Sequence, residues 1–254
     1  MMRWLALALL LMASARAGEI PPSERRSDTV TMSPELRAMQ ADDMANPASL
    51  SALDGEVLWS AKAGASGKAC SDCHGDARQS MRGVAARHPA YDAASGRVLD
   101  LEAKINQCRV ERQGAAALAM ESRELLNLTT YVGLQSRGEP IRSDDPRLAP
   151  TIEKGAQLFS ARQGQLNLSC AICHDDNWGR KLGSATVPQA HPTGYPLYRL
   201  EWQSVGSLQR RLRNCMIGMR AEPYAFGSED YIALETFLMS RAKGLPVETP
   251  AVRP

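Results

Sequence analysis

Two copies of the motif C-x-x-C-H carry most of the recognisable chemistry of this chain. They are Cys70–His74 and Cys170–His174, 100 positions apart. Two thiols at this spacing can bond to the two vinyl groups of one haem, and the imidazole of the next residue can then bind the iron. A repeated motif is far more specific than a single one, so the sequence predicts two covalently bound haem c groups. The attachment residues would be Cys70, Cys73, Cys170 and Cys173, and the first axial ligands would be His74 and His174.

Three types of side chain compete for the opposite side of each iron. Methionine is a common ligand in c-type cytochromes. Met120 and Met219 lie at suitable distances downstream, but neither has a methionine at the equivalent position of the other half. Histidine is the second candidate, because His88 and His191 correspond in the repeat and each precedes a proline. They follow their motifs by only 14 and 17 residues, in proline-containing loops.

Cysteine is the third candidate. Cys108 and Cys215 are the two cysteines outside the motifs, and they correspond in the repeat. A thiolate is a strong, soft iron ligand that favours a low reduction potential. The two could instead form one disulfide, as leftover cysteines of exported proteins often do. Equivalent cysteines in separate domains should each face their own haem, so the duplication favours Cys108 and Cys215 as metal ligands.

The surroundings of these two cysteines differ in charge. Acidic and basic residues nearly cancel around Cys108, whereas no acidic residue lies between Leu208 and Arg220, around Cys215. Arg211 precedes Cys215 by four positions, which is one turn along the same face of a helix. Its guanidinium could bind a small oxyanion bidentately beside a haem-bound sulfur, or it could pair with a haem propionate.

These residues must be positioned by a duplicated set of elements. Gly55–Lys62 is similar to Gly155–Arg162, and each stretch predicts a helix and a loop leading into a haem motif. Apolar residues and a cysteine with spacings of 3, 4 and 3 predict an amphipathic helix in each half. They are Val98, Leu101, Ile105 and Cys108, and Val205, Leu208, Leu212 and Cys215. The offset between the halves grows from 100 to about 106–107, which predicts a longer loop between motif and cysteine in the second half.

The start of the chain predicts export. The basic segment Met1–Arg3, the apolar run Trp4–Met12 and the site Ala15–Ala17 form a secretory signal peptide whose apolar part is too short to span a membrane. We therefore expect a periplasmic protein. The chain has 30 Lys and Arg against 28 Asp and Glu, and two of the arginines lie in that peptide. This balance gives no indication of a nucleic-acid or membrane partner.

The predicted fold is mainly α, with two tandem haem domains related by internal duplication. The expected parts are a signal peptide (1–17), a polar N-terminal extension (18–48), a first haem domain (49–142), a linker rich in proline and charge (143–150) and a second haem domain (151–254).

With these residues in place, the chain resembles the SoxA family, the dihaem subunits of the SoxAX cytochromes of bacterial thiosulfate oxidation. The resemblance covers nearly the whole mature chain and includes both C-x-x-C-H motifs, Cys108, and the Arg-x-x-x-Cys sequence of Arg211 and Cys215. It implies two cytochrome c-like domains with His/Cys-ligated haems. It also implies that Cys215 is catalytic and modified to a persulfide, that Arg211 orients the sulfur oxyanion, and that His74 and Cys108 ligate a haem without a catalytic role.

The resemblance also implies an activity and partners. The family's reaction joins thiosulfate oxidatively to a cysteine of the SoxY subunit of the SoxYZ carrier, and two electrons pass through haem to the monohaem SoxX and then to a soluble cytochrome c. The chain would thus be an L-cysteine S-thiosulfotransferase subunit in a heterodimer with a SoxX-like protein. Two other functions remain open on the sequence: a dihaem electron carrier, and a stand-alone thiosulfate dehydrogenase that forms tetrathionate.

Overall fold

A computed structural model describes residues 20–254, so the predicted signal peptide lies outside the described residues. The predicted mainly α fold is confirmed. The helices are α1 (Pro34–Ala41), α2 (Ala48–Ser60), α3 (Ser71–His74), α4 (Ala77–Ser80), α5 (Leu101–Cys108), α6 (Arg123–Leu134), α7 (Ala149–Ser160), α8 (Cys170–His174), α9 (Leu208–Gly218) and α10 (Glu229–Arg241). The strands are β1 (Ala90–Asp92), β2 (Arg97–Leu99), β3 (Lys181–Leu182), β4 (Ala185–Thr186), β5 (Leu197–Arg199), β6 (Ser204–Gly206) and β7 (Ala251–Arg253). No helix within residues 20–254 has both the length and the apolar character needed to cross a membrane.

The elements of the first half recur in the second in the same order. Helices α2 and α7 each lead to a short helix at a haem motif, α3 or α8, and Cys70 is the N-cap of α3. A β-hairpin then precedes the cysteine-bearing helix, β1–β2 before α5 and β5–β6 before α9, and a long helix, α6 or α10, packs back on the first. The second half has an additional hairpin, β3–β4, between its motif and β5. This hairpin is the predicted longer loop.

The long helices of each half cross at a glycine. A Cβ atom on Gly55 of α2 would lie 2.1 Å from the carbonyl oxygen of Asn127 in α6. A Cβ atom on Gly155 of α7 would lie 2.1 Å from the carbonyl oxygen of Ala233 in α10. Only glycine allows two backbones to come this close. The same contact therefore sets the distance between the two helices that enclose each core.

The two halves are joined by equivalent segments. The residues that follow α6 and α10 pair in antiparallel fashion, with Pro140 opposite Pro246. Backbone hydrogen bonds run in both directions, from Gly138 N to Val247 O (2.8 Å) and from Val247 N to Glu139 O (2.9 Å). Pro140 and Pro246 occupy the same position in the repeat, so each half contacts its own counterpart. This is the geometry of a local pseudo-twofold axis.

Buried carboxyl groups also lie between the halves. Asp100, at the start of α5, accepts a hydrogen bond from Nε2 of Gln209 in α9 (2.9 Å). Asp100, Glu102 and Glu235 line a common cavity of about 70 Å³. Burial raises the pKa of Asp100 to about 6 and that of Glu102 to about 8, and it also raises the pKa of Glu235. Repulsion from neighbouring carboxylates adds to the effect on Glu102 and Glu235.

The segment 20–47 lies along the second half. Arg26 N donates to Oε1 of Gln189 (2.8 Å), and the hydroxyl of Ser27 donates to Oε1 of Glu248 (2.6 Å). Strand β7 pairs in parallel with β5 and contacts α1. The beginning and the end of the described chain thus meet beside β5.

Replacing Gly155 with alanine should destabilise the second half. The added methyl group would have to displace the backbone of α10, and overpacking of this kind costs about 1–3 kcal/mol. We expect the free energy of unfolding of the holoprotein in guanidinium to fall by this amount. Gly218→Ala is the matched control, because the Cβ position of Gly218 has open space around it. Equal stability of the two variants would contradict the close crossing.

Replacing Glu235 with glutamine should flatten the pH dependence of stability. The raised pKa means that the folded chain keeps this proton where the unfolded chain, with a glutamate pKa of about 4.3, has released it. Its contribution to stability is complete in acid and is lost as the pH rises above about 4.3 towards the raised pKa, by about 1.4 kcal/mol per pH unit. We expect Glu235→Gln to resist guanidinium better than the natural chain at pH 8, with a smaller difference at pH 5. The exposed Glu222→Gln should show no such difference, and a loss of stability of Glu235→Gln at pH 8 would refute the raised pKa.

Candidate functional site

The residues of the first predicted haem site line one cavity. Its volume is about 380 Å³, within the range of about 300–1,000 Å³ that is usual for ligand and cofactor pockets. Cys70, Cys73 and His74 lie on its wall, and so does Cys108 of α5. Apolar side chains from the surrounding helices complete it, namely Trp59, Met81, Val84, Leu101, Ile105 and Val132. The structure therefore brings these four predicted residues together.

The second motif and Cys215 also lie together. Burial and, to a smaller extent, the nearby thiol of Cys215 raise the pKa of the Cys170 thiol to about 12. Burial and the nearby thiol of Cys215 also raise the pKa of Cys173. Cys170 packs in the core of the second half with apolar residues of α9, including Leu208 and Leu212. The motif on α8 and the cysteine on α9 thus lie close together.

The hydrogen bonding and the burial of His174 suit an iron ligand. Its Nδ1 lies 2.7 Å from the carbonyl oxygen of Pro188, which can only accept, so Nδ1 carries the proton and Nε2 keeps a free lone pair. Burial lowers the pKa of His174 to about 4, which favours the neutral imidazole that binds metals. The ring of Phe159 lies 6.4 Å from that of His174, and Trp59 has the same relation to His74 at 5.7 Å.

The predicted correspondence of His88 with His191 is wrong. Strand β1 begins two residues after His88, and β5 begins two residues after Tyr195, with matching hairpin registers. His88 is therefore equivalent to Tyr195. The second half has seven additional residues, and they lie before His191, in the region of the β3–β4 hairpin. Without knowing their position, the sequence comparison of the two halves paired His88 with His191. His191 instead uses its Nδ1 to donate to the carbonyl oxygen of Arg26 (2.7 Å).

Cysteine is the distal candidate that occupies equivalent positions in both halves. Cys108 and Cys215 each lie eight residues after the N-cap of their helix, Asp100 or Ser207. Both are free thiols, so the alternative of a disulfide between them is not realised. His88 lines the first cavity beside Cys108, but its counterpart in the second half is a tyrosine.

Both sites fit a haem group. Arg109 lines the first cavity, and its buried Nε has no acceptor among the described residues. Arg241 of the second half has a similarly unpartnered Nε, while its Nη2 pairs with Asp175, the residue after His174, at 2.6 Å. Haem propionates are carboxylates and accept hydrogen bonds from such donors. Paired thiols, an imidazole, apolar walls and unpartnered guanidinium nitrogens are what a haem c requires.

The arginines near Cys215 have different surroundings. Arg210 lies over the ring of Trp202 (4.4 Å), and Arg213 lies over that of Phe226 (5.7 Å). Arg211 is half-buried, and within residues 20–254 its side chain forms no hydrogen bond or ion pair. Burial works to lower the pKa of Arg211, but Cys215 and other nearby groups outweigh it, so the net direction is upward. The charge predicted to act on Cys215 thus has no direct partner among the described residues, while the carboxyl groups of Glu201 and Asp28 interact with it electrostatically.

Sequence reasoning missed three polar residues near this thiol. Tyr195 and Arg199 both interact electrostatically with Cys215 and with Arg211. Asp28 reaches the same region from the N-terminal segment, and burial raises its pKa to about 6 against the influence of Arg253. Cys108 and Cys215 lie 107 positions apart. Applying the same offset to the residues of the preceding β-hairpin would have identified Tyr195 and Arg199 as the counterparts of His88 and Asp92. No sequence pattern marks Asp28, because its place depends on the tertiary fold.

Comparisons with known proteins agree with this geometry. The family described as SoxA/TsdA, cytochrome c domain, matches residues 54–141 and again residues 154–247. The L-cysteine S-thiosulfotransferase subunit SoxA of Pseudaminobacter salicylatoxidans is 38% identical, over 97% of this chain and 87% of the relative. The subunit of the same name from Paracoccus pantotrophus is 35% identical, over 85% of this chain and 75% of the relative.

A solved structure extends the likeness to three dimensions. A chain in the crystal structure of SoxXA from P. pantotrophus matches with a TM-score of 0.86 and 34% identity, covering 90% of this chain and 86% of that one. The domain match occurs once in each half, at the two positions where the fold repeats itself. The chain therefore belongs to the SoxA family, consists of two cytochrome c-like repeats and binds haem c.

Proposed function

We propose that this protein is the SoxA subunit of an L-cysteine S-thiosulfotransferase, which joins thiosulfate oxidatively to a cysteine of a SoxYZ-like carrier in the periplasm. The observation that carries the proposal is the unpaired guanidinium of Arg211 one helical turn from the free thiol of Cys215. A cation next to a reactive sulfur suits an anionic sulfur substrate. The shared name of the relatives supports the same activity.

The proposal includes a haem c in each of two domains, 49–142 and 151–254, with 143–150 as linker and 18–48 as N-terminal extension. The first haem would be attached to Cys70 and Cys73 and ligated by His74 and Cys108. The second would be attached to Cys170 and Cys173 and ligated by His174 and Cys215. The equivalence of the two halves supports both assignments.

The reaction needs an electron acceptor. Thiosulfate and the carrier thiol together become a cysteine S-thiosulfonate with a new sulfur–sulfur bond, and one proton and two electrons are released. Haem c, when bound, supplies one-electron acceptor chemistry, and a SoxX-like partner and a soluble cytochrome c would take the electrons onward. The SoxXA complex of the structural relative supports a SoxX-like partner.

The chain's own residues would bind and transfer the sulfur group. Arg211 would hold the sulfonate oxygens by charge-assisted hydrogen bonds, leaving the terminal sulfur of thiosulfate beside Cys215. Oxidative bond formation between these two sulfurs would release the two electrons. The carrier thiolate would then attack the sulfur attached to Cys215 by disulfide exchange, so that the Cys215 thiolate leaves and no further electrons move.

The ligand assignment predicts thiolate signatures from both haems. Low-temperature EPR and near-infrared magnetic circular dichroism of the oxidised holoprotein should show two His/thiolate haems. Cys108→Ala and Cys215→Ala should each abolish one signature and leave the other. Spectra of bis-histidine or His/Met type would exclude both cysteines as ligands and would favour a simple electron carrier.

The two cysteines should differ in function. We expect Cys215→Ala to abolish carrier-dependent thiosulfate oxidation by the complex with its SoxX-like partner, because the sulfur that receives the substrate is lost. Cys108→Ala is the matched control at the equivalent position and should retain much of the activity. The assay is cytochrome c reduction with thiosulfate and a SoxYZ-like carrier. Comparable losses in both variants would argue against the assignment, and full activity without carrier or partner would indicate a tetrathionate-forming dehydrogenase.

A further inference from the structure

The cation next to the first cysteine is neutralised. Lys104 lies four residues before Cys108, at the position equivalent to Arg211. Its Nζ donates to Oδ1 of Asp92, the last residue of β1, at 2.8 Å. This contact is the main reason that the pKa of Asp92 lies well below its usual range. Gln107 accepts from the same Nζ (2.8 Å) and donates to Oδ2 of Asp92 (3.2 Å). The cation one helical turn before Cys108 is therefore compensated by a carboxylate.

The second site replaces this ion pair with two cations. The offset of 107 positions that relates Cys108 to Cys215 also relates Lys104 to Arg211 and Asp92 to Arg199. Strand register confirms the last equivalence, since Asp92 lies opposite Arg97 in the first hairpin and Arg199 lies opposite Ser204 in the second. Arg199 and Arg211 repel each other, and this repulsion adds to burial in lowering the pKa of Arg199.

The positive charge of Arg199 is only partly compensated. Among the described residues its ion-pair partner is Glu201, whose Oε1 lies 3.3 Å from Nε and whose side chain is 50% exposed. The side chain of Arg199 itself is 14% exposed, and its buried Nε forms no hydrogen bond. Glu201 is thus an electrostatic partner of this Nε without a hydrogen bond, and a buried donor without a hydrogen bond costs free energy unless a ligand supplies an acceptor. Two guanidinium groups that repel each other, one of them with such a donor, favour a bound anion.

We propose that Arg199 is a second substrate-binding residue of this site, and that it acts together with Arg211 as a clamp for the sulfonate oxygens of a sulfur oxyanion. The proposal rests on the proposed function for the identity of the substrate. The sulfonate group of thiosulfate has three oxygens and the ion carries two negative charges, so it can engage both guanidinium groups at once. Arg211 lies on a helix and Arg199 on a strand, and both interact electrostatically with Cys215. Held from two different elements, the anion would be fixed in orientation as well as in position.

The test is a comparison of Arg199→Gln with Arg199→Lys in the holoprotein complex with its SoxX-like partner. In carrier-dependent turnover, Arg199→Gln should raise the KM for thiosulfate by about 10- to 100-fold, the usual effect of a lost charge-assisted hydrogen bond, with kcat largely unchanged. Arg199→Lys should recover part of the loss. Sulfate is a tetrahedral dianion like thiosulfate, but it has no terminal sulfur that could react. Its dissociation constant, measured by titration calorimetry, should rise by a similar factor.

Arg213→Gln is the matched control. It removes the same charge from helix α9 at a residue that lies over Phe226, and it should leave both constants unchanged. The proposal is overturned if Arg199→Gln changes neither constant, or if Arg213→Gln changes them as much. If the natural complex does not conjugate thiosulfate to the carrier, the proposed function fails. In that case, a loss of sulfate binding in the Arg199→Gln variant but not in the Arg213→Gln variant would still support the anion clamp.

Discussion

In each half, two long helices cross so closely that only a glycine fits at the contact. The rest of the half depends on this crossing. It places Trp59 or Phe159, near the end of the first helix, against the histidine of the haem motif. It also leaves room beside the helix pair for the cysteine-bearing helix to enclose a flat cofactor.

The two halves share one scaffold, but the charges that surround their cysteines differ. The motif, the ring beside its histidine and the cysteine are equivalent in the two halves, so each half offers the same residues for holding a haem. The charges beside the cysteine are not equivalent. An ion pair of Lys104 and Asp92 stands in one half, and the like charges of Arg211 and Arg199 stand in the other. A difference in reactivity between two sites of one fold can therefore arise from a small change in charge at fixed positions.

Much of this organisation follows from the sequence, since thiol spacing and helical periodicity are local properties. The motifs, the repeated helices and the longer loop of the second half could all be predicted from them. The position of His191 in the repeat could not be predicted. It depends on where the additional residues of the loop lie, and an insertion within a loop leaves no periodic signal. Arg199 lies on a strand of three residues, too short to show alternation. Asp28 is brought to the site by contacts across the whole chain, which no local pattern records.

The N-terminal segment has its binding partners at the other end of the chain. Ser27 bonds to Glu248, 221 residues later, and Asn46 bonds to Pro250, 204 residues later. Contacts over such separations form late, because the intervening chain must first be ordered. The first half, by contrast, closes its core over shorter separations, with Gly55 of α2 against Asn127 of α6. The N-terminal segment therefore takes its place only when the residues that bind it, more than 200 positions later, are present. Asp28, which it carries towards Arg211, thus makes the charge balance of the second site depend on contacts between distant parts of the chain.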